Sequence, residues 1–438
     1  MNRLVEKLRN LGWDRDHYHD PKMNPVNWLK GLRRFQSGGA WLNLGFLHPP
    51  HSTSTLGFYS RTSALPADIE YANAWMYSVT PSLICIVVCF ALDEDKSGMF
   101  DRSLRADRQT FATEAGSGTQ YHEPWKQKSD EIGNLRARIS SELLSWFSAN
   151  LPGLFSSGLL DGNIPTCELI TLQDGNPFPS LAKEEGPPPE YLRLLGVSHD
   201  LEAWKSKSIP SLKFSVSQGW STSPQHHSIL AANVNRLTES IPDGYSGECR
   251  PNRIHFVDSM MWKLIAIWAI LPMFEGYTQH LSRVRSSTTL SNTSLQPPVR
   301  VLESLGRHIS YSVDIAAVTA ELATHAERQL ARSHDIDPFE PCNPEIYREK
   351  LSLSDYLNQV IGKQASWLQE TDVSIRSHLT QYGALIGATE SVRVQKSVTF
   401  LTWVLVMLAI ATLVAPLLPA IISFELHRFL SFLGEFWL

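Results

Sequence analysis

The sequence predicts an α/β or α+β soluble N-terminal domain followed by an α-helical region, a long stalk helix and a C-terminal transmembrane helix. Three observations carry that prediction. Short β-branched runs alternate with amphipathic helical segments up to about residue 257. No proline occurs between Pro344 and Pro416. And Ser397–Phe424 is a run of 28 residues without a charge, where ~20 suffice to cross a bilayer core of ~30 Å. The boundaries that follow are 1–257 for the α/β body, 258–333 for a helical region and 344–396 for the stalk. The span covers 397–424 and an interfacial tail 425–438.

The 438 residues leave room for two or three domains with an ample core. A net charge of −5 and a pI near 6.3 give no reason to expect a nucleic-acid partner. The five cysteines form no C-x-x-C and no regular framework, which fits a reducing compartment. Cys85 and Cys89 lie in an apolar run and read as buried thiols. MNRLVEKLRNLGW lacks the apolar core of a signal peptide, so the body is expected to stay on the cytoplasmic side.

In chain order, a short opening helix is followed by HYHDPKMNP, where His17, His19 and Asp20 read as a polar loop with a metal pair as the alternative. Trp41–Leu47 alternates as a strand. Leu65-Pro66 opens a helix with Ile69, Ala72 and Met76 on one face. Leu83–Leu92, bounded by Pro81 and by Asp93-Glu94-Asp95, reads as a fully buried central strand. The three carboxylates stand at the end of that strand, a common ligand position in α/β sheets. Asp93, Glu94 and Asp95 are the candidate ligands for a divalent cation, although a solvated turn is the preferred reading.

Residues 114–128 read as a polar loop, and Ser129-Asp130 caps an amphipathic helix to about Asn150. Cys167–Leu172 is a strand, and the five prolines of residues 174–190 mark an exposed connection. His226-His227, among Ser, Pro and Gln, reads as a loop pair. Leu212, Phe214 and Val216 alternate as a strand, and so do Ile254 and Phe256. Met260–Leu271 is apolar but carries Lys263 and stops at Pro272, which favours a buried core helix over a span. Residues 285–298 read as a linker, Val299–Ser333 as a helix, and 333–344 as a break. No dinucleotide fingerprint, Walker loop, nucleophile elbow or zincin motif occurs, so no reaction is legible, although a membrane-tethered enzyme stays an alternative.

In the stalk, Asn343 and Pro344 suit an N-cap and first helical position. Ile361, Ala365, Leu368, Asp372, Ile375, Leu379, Tyr382 and Ile386 follow heptad spacing. That seam suits homo-oligomerisation through stalk and span; an amphipathic helix packed on its own domain is the competing account. If helical throughout, residues 345–415 extend about 105 Å. Arg393 and Lys396 flank the span on its N-terminal side and predict a cytoplasmic body. Within the span Thr402, Ala409, Thr412 and Pro416 share one side, as a helix-packing seam, a pore lining or ordinary tolerated threonines.

The succession of α/β body, long stalk helix, basic step (VRVQK, 392–396) and C-terminal span resembles the CorA-like metal-ion transporters, mainly over residues 344–415. The resemblance implies an oligomer and ion conduction. The Gly-Met-Asn of that family is not present here; Pro416-Leu417-Leu418-Pro419 stands in its place, so no filter residue carries over. The leading expectation is a membrane-anchored, oligomeric protein with a large cytoplasmic sensing or interaction domain and the lipid bilayer as partner. A divergent ion channel is the alternative.

Overall fold

The computed structural model describes residues 2–13, 24–35, 39–50, 60–115, 118–155, 164–180, 188–200, 202–216, 226–242, 249–291, 315–326, 338–344 and 351–414, with Gly306 and Arg428. The chain forms two compact units, Met1–Ser287 with Ser310–Asp372, and Thr288–Ile309 with Val373–Leu438.

The first unit has a mixed α/β core. Helices α1 (Asn2–Asn10) and α2 (Pro25–Phe35) precede strands β1 (Trp41–His48), β2 (Ser60–Thr62), β3 (Ile69–Ser78) and β4 (Ile84–Leu92). The sheet order is β2-β1-β3-β4, with β3 antiparallel to both neighbours. Strict alternation fails in β1 because Asn43 Oδ1 accepts from Gly45 N at 2.6 Å, with Gly45 at φ 88°. The resulting bulge resets the register, so Leu44 and Leu47 are both buried.

The helix expected after Pro66 is strand β3. Ala72 and Met76 do share a face, but it is a strand face. With Ala74 they enter the cluster of Leu8, Leu11, Trp13, Leu29, Leu42, Leu44 and Trp146. Tyr71, Asn73, Trp75 and Tyr77 point the other way. Burial on both faces erased the polar alternation that marks a strand. The expected central strand is β4, which lies at the margin of this sheet and is half-buried. It stays apolar because helices cover both of its faces: Phe90 meets Trp146 and Phe147 at 5.3 and 5.9 Å on one.

Helix α3 (Glu94–Arg105) follows β4 directly, and a hairpin of β5 (Phe111–Ala115) and β6 (Gly118–His122) replaces most of the expected polar loop. Helix α4 (Pro124–Asn150) begins earlier than expected, with proline in its first turn, where no N–H is needed. Strand β7 (Thr166–Leu172) opens a second sheet, and α5 (Glu190–Leu195) ends on Gly196 at φ 80°. Next come β8 (Ala203–Ser206), β9 (Lys213–Ser215), β10 (His227–Asn233) and α6 (Val234–Ser240), capped by Asn233 Oδ1 on Arg236 N at 3.2 Å. The sheet order is β11-β8-β9-β10-β7, where β11 (Phe339–Pro341) comes from the expected break and β7 runs parallel to β10.

Ile254 and Phe256 lie in helix α7 (Arg250–Trp268), not in a strand, so the boundary drawn at 257 cuts a helix. Met260–Leu271 is a buried helical segment, as expected. The chain turns at Ala269 into α8 (Ile270–Ser291), and Pro272 falls in its first turn. Residues 285–291 of the expected linker are the end of α8. Helix α9 (315–326) is the described part of the expected 299–333 helix. It reaches the turn between β3 and β4, where Glu321 accepts from Ser82 N at 3.0 Å and Ser82 Oγ at 2.6 Å.

Helix α10 (Leu353–Val414) starts later than Pro344. Ser352 caps it: its Oγ accepts from Asp355 N at 3.2 Å and donates to Asp355 Oδ2 at 2.7 Å, which holds the hydroxyl in place. Leu353, Leu357, Ile361, Ala365 and Leu368 are fully buried and Asp372 nearly so, all within the first unit. This part of the seam serves its own body. The tail 425–438 lies outside the described residues, Arg428 excepted.

Candidate functional site

The most conspicuous functional feature is the second half of α10. Ser391–Thr412 has a mean hydropathy of 1.7 and none of it is buried. Val398, Phe400, Leu401, Trp403, Leu405 and Met407 are all exposed. In water that surface is costly at about 25 cal/mol per Å²; in a bilayer it is matched. The backbone is internally satisfied by the helix, as lipid requires. Hydroxyls are satisfied too. Thr402 Oγ1 donates to Val398 O at 2.8 Å, and Thr412 Oγ1 donates to Leu408 O at 3.0 Å. Thr402, Ala409 and Thr412 therefore need no partner to enter lipid. Pro416 and residues 415–424 lie outside the described residues. Arg393 and Lys396 are exposed just before the apolar run.

A second helical segment, Arg250–Ser286, is also apolar enough to span, with mean hydropathy 1.5, but 56 % of its most apolar stretch is buried inside the fold. Its residues Val257, Met261, Trp262 and Leu264 are core. The two segments differ in what they face.

Of the other candidate sites, Asp93, Glu94 and Asp95 form the N-cap and first turn of α3. Asp93 Oδ1 accepts from Lys96 N at 2.6 Å, while Glu94 and Asp95 are exposed and favour the positive end of the helix. Among the described residues no three His, Cys, Asp or Glu side chains are grouped to hold a metal, this trio included. His17, His19 and Asp20 lie outside the described residues, as do the side chains of Leu379, Tyr382 and Ile386. Ile375 is half-buried. Burial pushes the Cys85 and Cys167 thiols up to about 12, so neither is a nucleophile at neutral pH.

The structure assembles a polar cluster that sequence spacing did not reveal. His227 is not in a loop: it is the first residue of β10, buried, and pairs in register with Thr166 of β7. Thr166 Oγ1 lies 2.8 Å from His227 Nδ1, and His227 Nε2 lies 3.2 Å from Glu168 Oε2. Arg136 of α4 donates through Nε to Glu168 Oε2 at 2.8 Å and through Nη2 to Leu195 O at 3.0 Å. Burial tends to raise the Glu168 carboxyl, but Arg136 and His227 outweigh it and hold the group below its ordinary value. Glu168 is thus an anion with a buried guanidinium on one side and an imidazole on the other. The carboxylate–imidazole–hydroxyl series can pass a proton along its length. Its members come from α4, β7 and β10, so it also ties that helix to the one parallel pair of the described second sheet.

His226, with φ 59°, accepts from Thr166 N through its carbonyl at 3.0 Å, and its Nδ1 lies 3.3 Å from Glu275 of α8. A left-handed residue at the strand entrance turns the two neighbouring rings to different partners.

No family model, curated protein or solved structure matches this chain.

Proposed function

We propose that this chain is a membrane-anchored protein whose α/β body works on the cytoplasmic side as a sensing or interaction domain. The observation that carries the reading is the exposed apolar helix at 391–412, continuous in α10 with a segment packed into the body. A bilayer is the solvent that suits such a surface. Arg393 and Lys396, placed just ahead of the apolar run, favour the body side as cytoplasmic. The seam positions Ile361, Ala365, Leu368 and Asp372 are already buried in the first unit, so contacts with sister subunits fall to the later seam positions Ile375, Leu379, Tyr382 and Ile386 and to the span.

Membrane fractionation with protease accessibility tests the proposal. The full chain is expected in an alkali-resistant membrane pellet, with the body digested from the cytoplasmic face. A protein that stays in the supernatant, or a body shielded from protease on that face, overturns it.

A further inference from the structure

Helix α7 and the first sheet share a buried carboxyl. Asp258 is 7 % exposed, and its Oδ2 accepts from Asn73 Nδ2 at 2.5 Å and from Trp75 Nε1 at 2.9 Å. One turn later on α7, Trp262 stacks on Trp75 with ring centroids 5.0 Å apart and planes 5° from parallel. The carboxyl thus sits in the seam between α7 and β3. Asn73 is 1 % exposed, and its Oδ1 is a buried acceptor with no donor among the described residues. A carboxamide that donates to one carboxyl oxygen through the N–H on the side of its own oxygen can bring that oxygen to the other. Only a protonated carboxyl has a hydrogen to give it.

The neighbouring titratable groups are Tyr71 of β3 and Cys89 of β4, both neutral: burial raises both, and the charge of Asp258 raises them further. On α7, Arg250 lies 3.3 Å from Glu70 and donates to Leu92 O at 2.8 Å, while His255 meets Phe46 of β1 at 5.2 Å. Lys263 lies over Trp262 at 5.6 Å. Among the described residues no cation pairs with Asp258.

We propose that Asp258 and Asn73 form a proton-gated latch: protonated, the carboxyl joins the amide at two points and holds α7 on the first sheet, and ionised, it loosens that docking. Burial pushes the Asp258 carboxyl up to about 6, which places the change within the range a cell can impose. The folded value lies above the unfolded one. The folded state therefore holds the proton more tightly, and stability falls as pH rises from about 4 through about 6. The latch is independent of whether residues 391–412 enter a bilayer.

The test is amide hydrogen exchange in α7, corrected for intrinsic rates, with tryptophan emission, on the full chain in detergent micelles between pH 4 and 7.5. Exchange by local opening is expected to rise up to about a hundredfold across the titration, the ratio set by a carboxyl titrating near 6 rather than 3.8. Asp258→Asn supplies an acceptor and a permanent donor, so α7 should stay protected at every pH with no transition. A transition that survives Asp258→Asn overturns the latch. So does one that disappears in His255→Gln, which assigns the event to the imidazole.

Discussion

Trp204 of β8 and Tyr356 of α10 lie with ring centroids 5.0 Å apart, and this contact fastens the first turns of α10 to the second sheet. Strand β11 reinforces it just upstream. Lys207 N donates to Pro338 O and Cys342 N to Ala203 O, both at 2.9 Å, so the chain is stitched to β8 before α10 begins. Trp204 is almost fully buried, and Trp204→Ala is expected to cost about 3–5 kcal/mol in urea unfolding. A double-mutant cycle with Tyr356→Ala should return a coupling of about 0.5–1.5 kcal/mol. Strict additivity would mean that the two rings share no energy.

Arg136 and Glu168 set a second expectation. Arg136→Ala leaves a carboxylate without its guanidinium in a buried site, and destabilisation of about 3–5 kcal/mol is expected at pH 7. The pH dependence has a definite sign. The folded pKa of Glu168 lies below its unfolded value, so its stabilising effect is complete above about 4.5 and is lost as pH falls through the lower folded value. Glu168→Gln should flatten that acid limb of the stability curve. An unchanged limb would assign acid unfolding to other carboxylates.

How much of this was legible in the sequence depends on the range of the signal. The charge-free run from Ser397 is a local property, and its described part, to Val414, is helical as composition suggested. Strand β7 was visible from β-branched residues between turn signals, and α4 from its apolar period. Strand β3 was not, because Tyr71, Trp75 and Tyr77 face α7 while Ala72, Ala74 and Met76 face the other core, leaving no polar side to set the period. Phe339–Pro341 hid among prolines and aspartates, since three residues make a strand only when β8 is there to pair with them. Arg136 and Glu168 are 32 positions apart, and Asn73 and Asp258 are 185 apart. Such pairs are made by tertiary packing alone. The His227 neighbourhood of Ser, Pro and Gln describes the approach to β10, not the strand itself.

Two glycines of α10 should respond in opposite ways. A Cβ on Gly362 would meet the Ala326 Cβ of α9 at 3.3 Å, whereas one on Gly383 would have nothing within 4 Å. Gly362→Leu is therefore expected to wedge α9 from α10 and cost about 1–3 kcal/mol. Gly383→Ala should stabilise the helix by about 0.5–1 kcal/mol through lost backbone freedom. Thermal unfolding of the two variants in detergent compares them. Equal responses would mean that the close approach at Gly362 has no energetic weight.

The exposed stretch 398–412 makes the last expectation, because it separates an anchor from a polar conduit. Leu405 lies at the middle of that 398–412 stretch, and Leu405→Arg places a guanidinium there at about 2.5–3.5 kcal/mol in insertion free energy. Membrane recovery should drop severalfold, most clearly in a double variant with Leu408→Arg. Thr402→Val gives the contrast. Its hydroxyl already donates to Val398 O, so removing it frees only a carbonyl that the helix backbone also serves. Membrane recovery of Thr402→Val is therefore expected to match wild type. A defect in Thr402→Val as large as that of Leu405→Arg would show that the hydroxyl faces a partner or a water-filled path, and would move the Thr402–Thr412 side from the proposed lipid-facing surface to a lining.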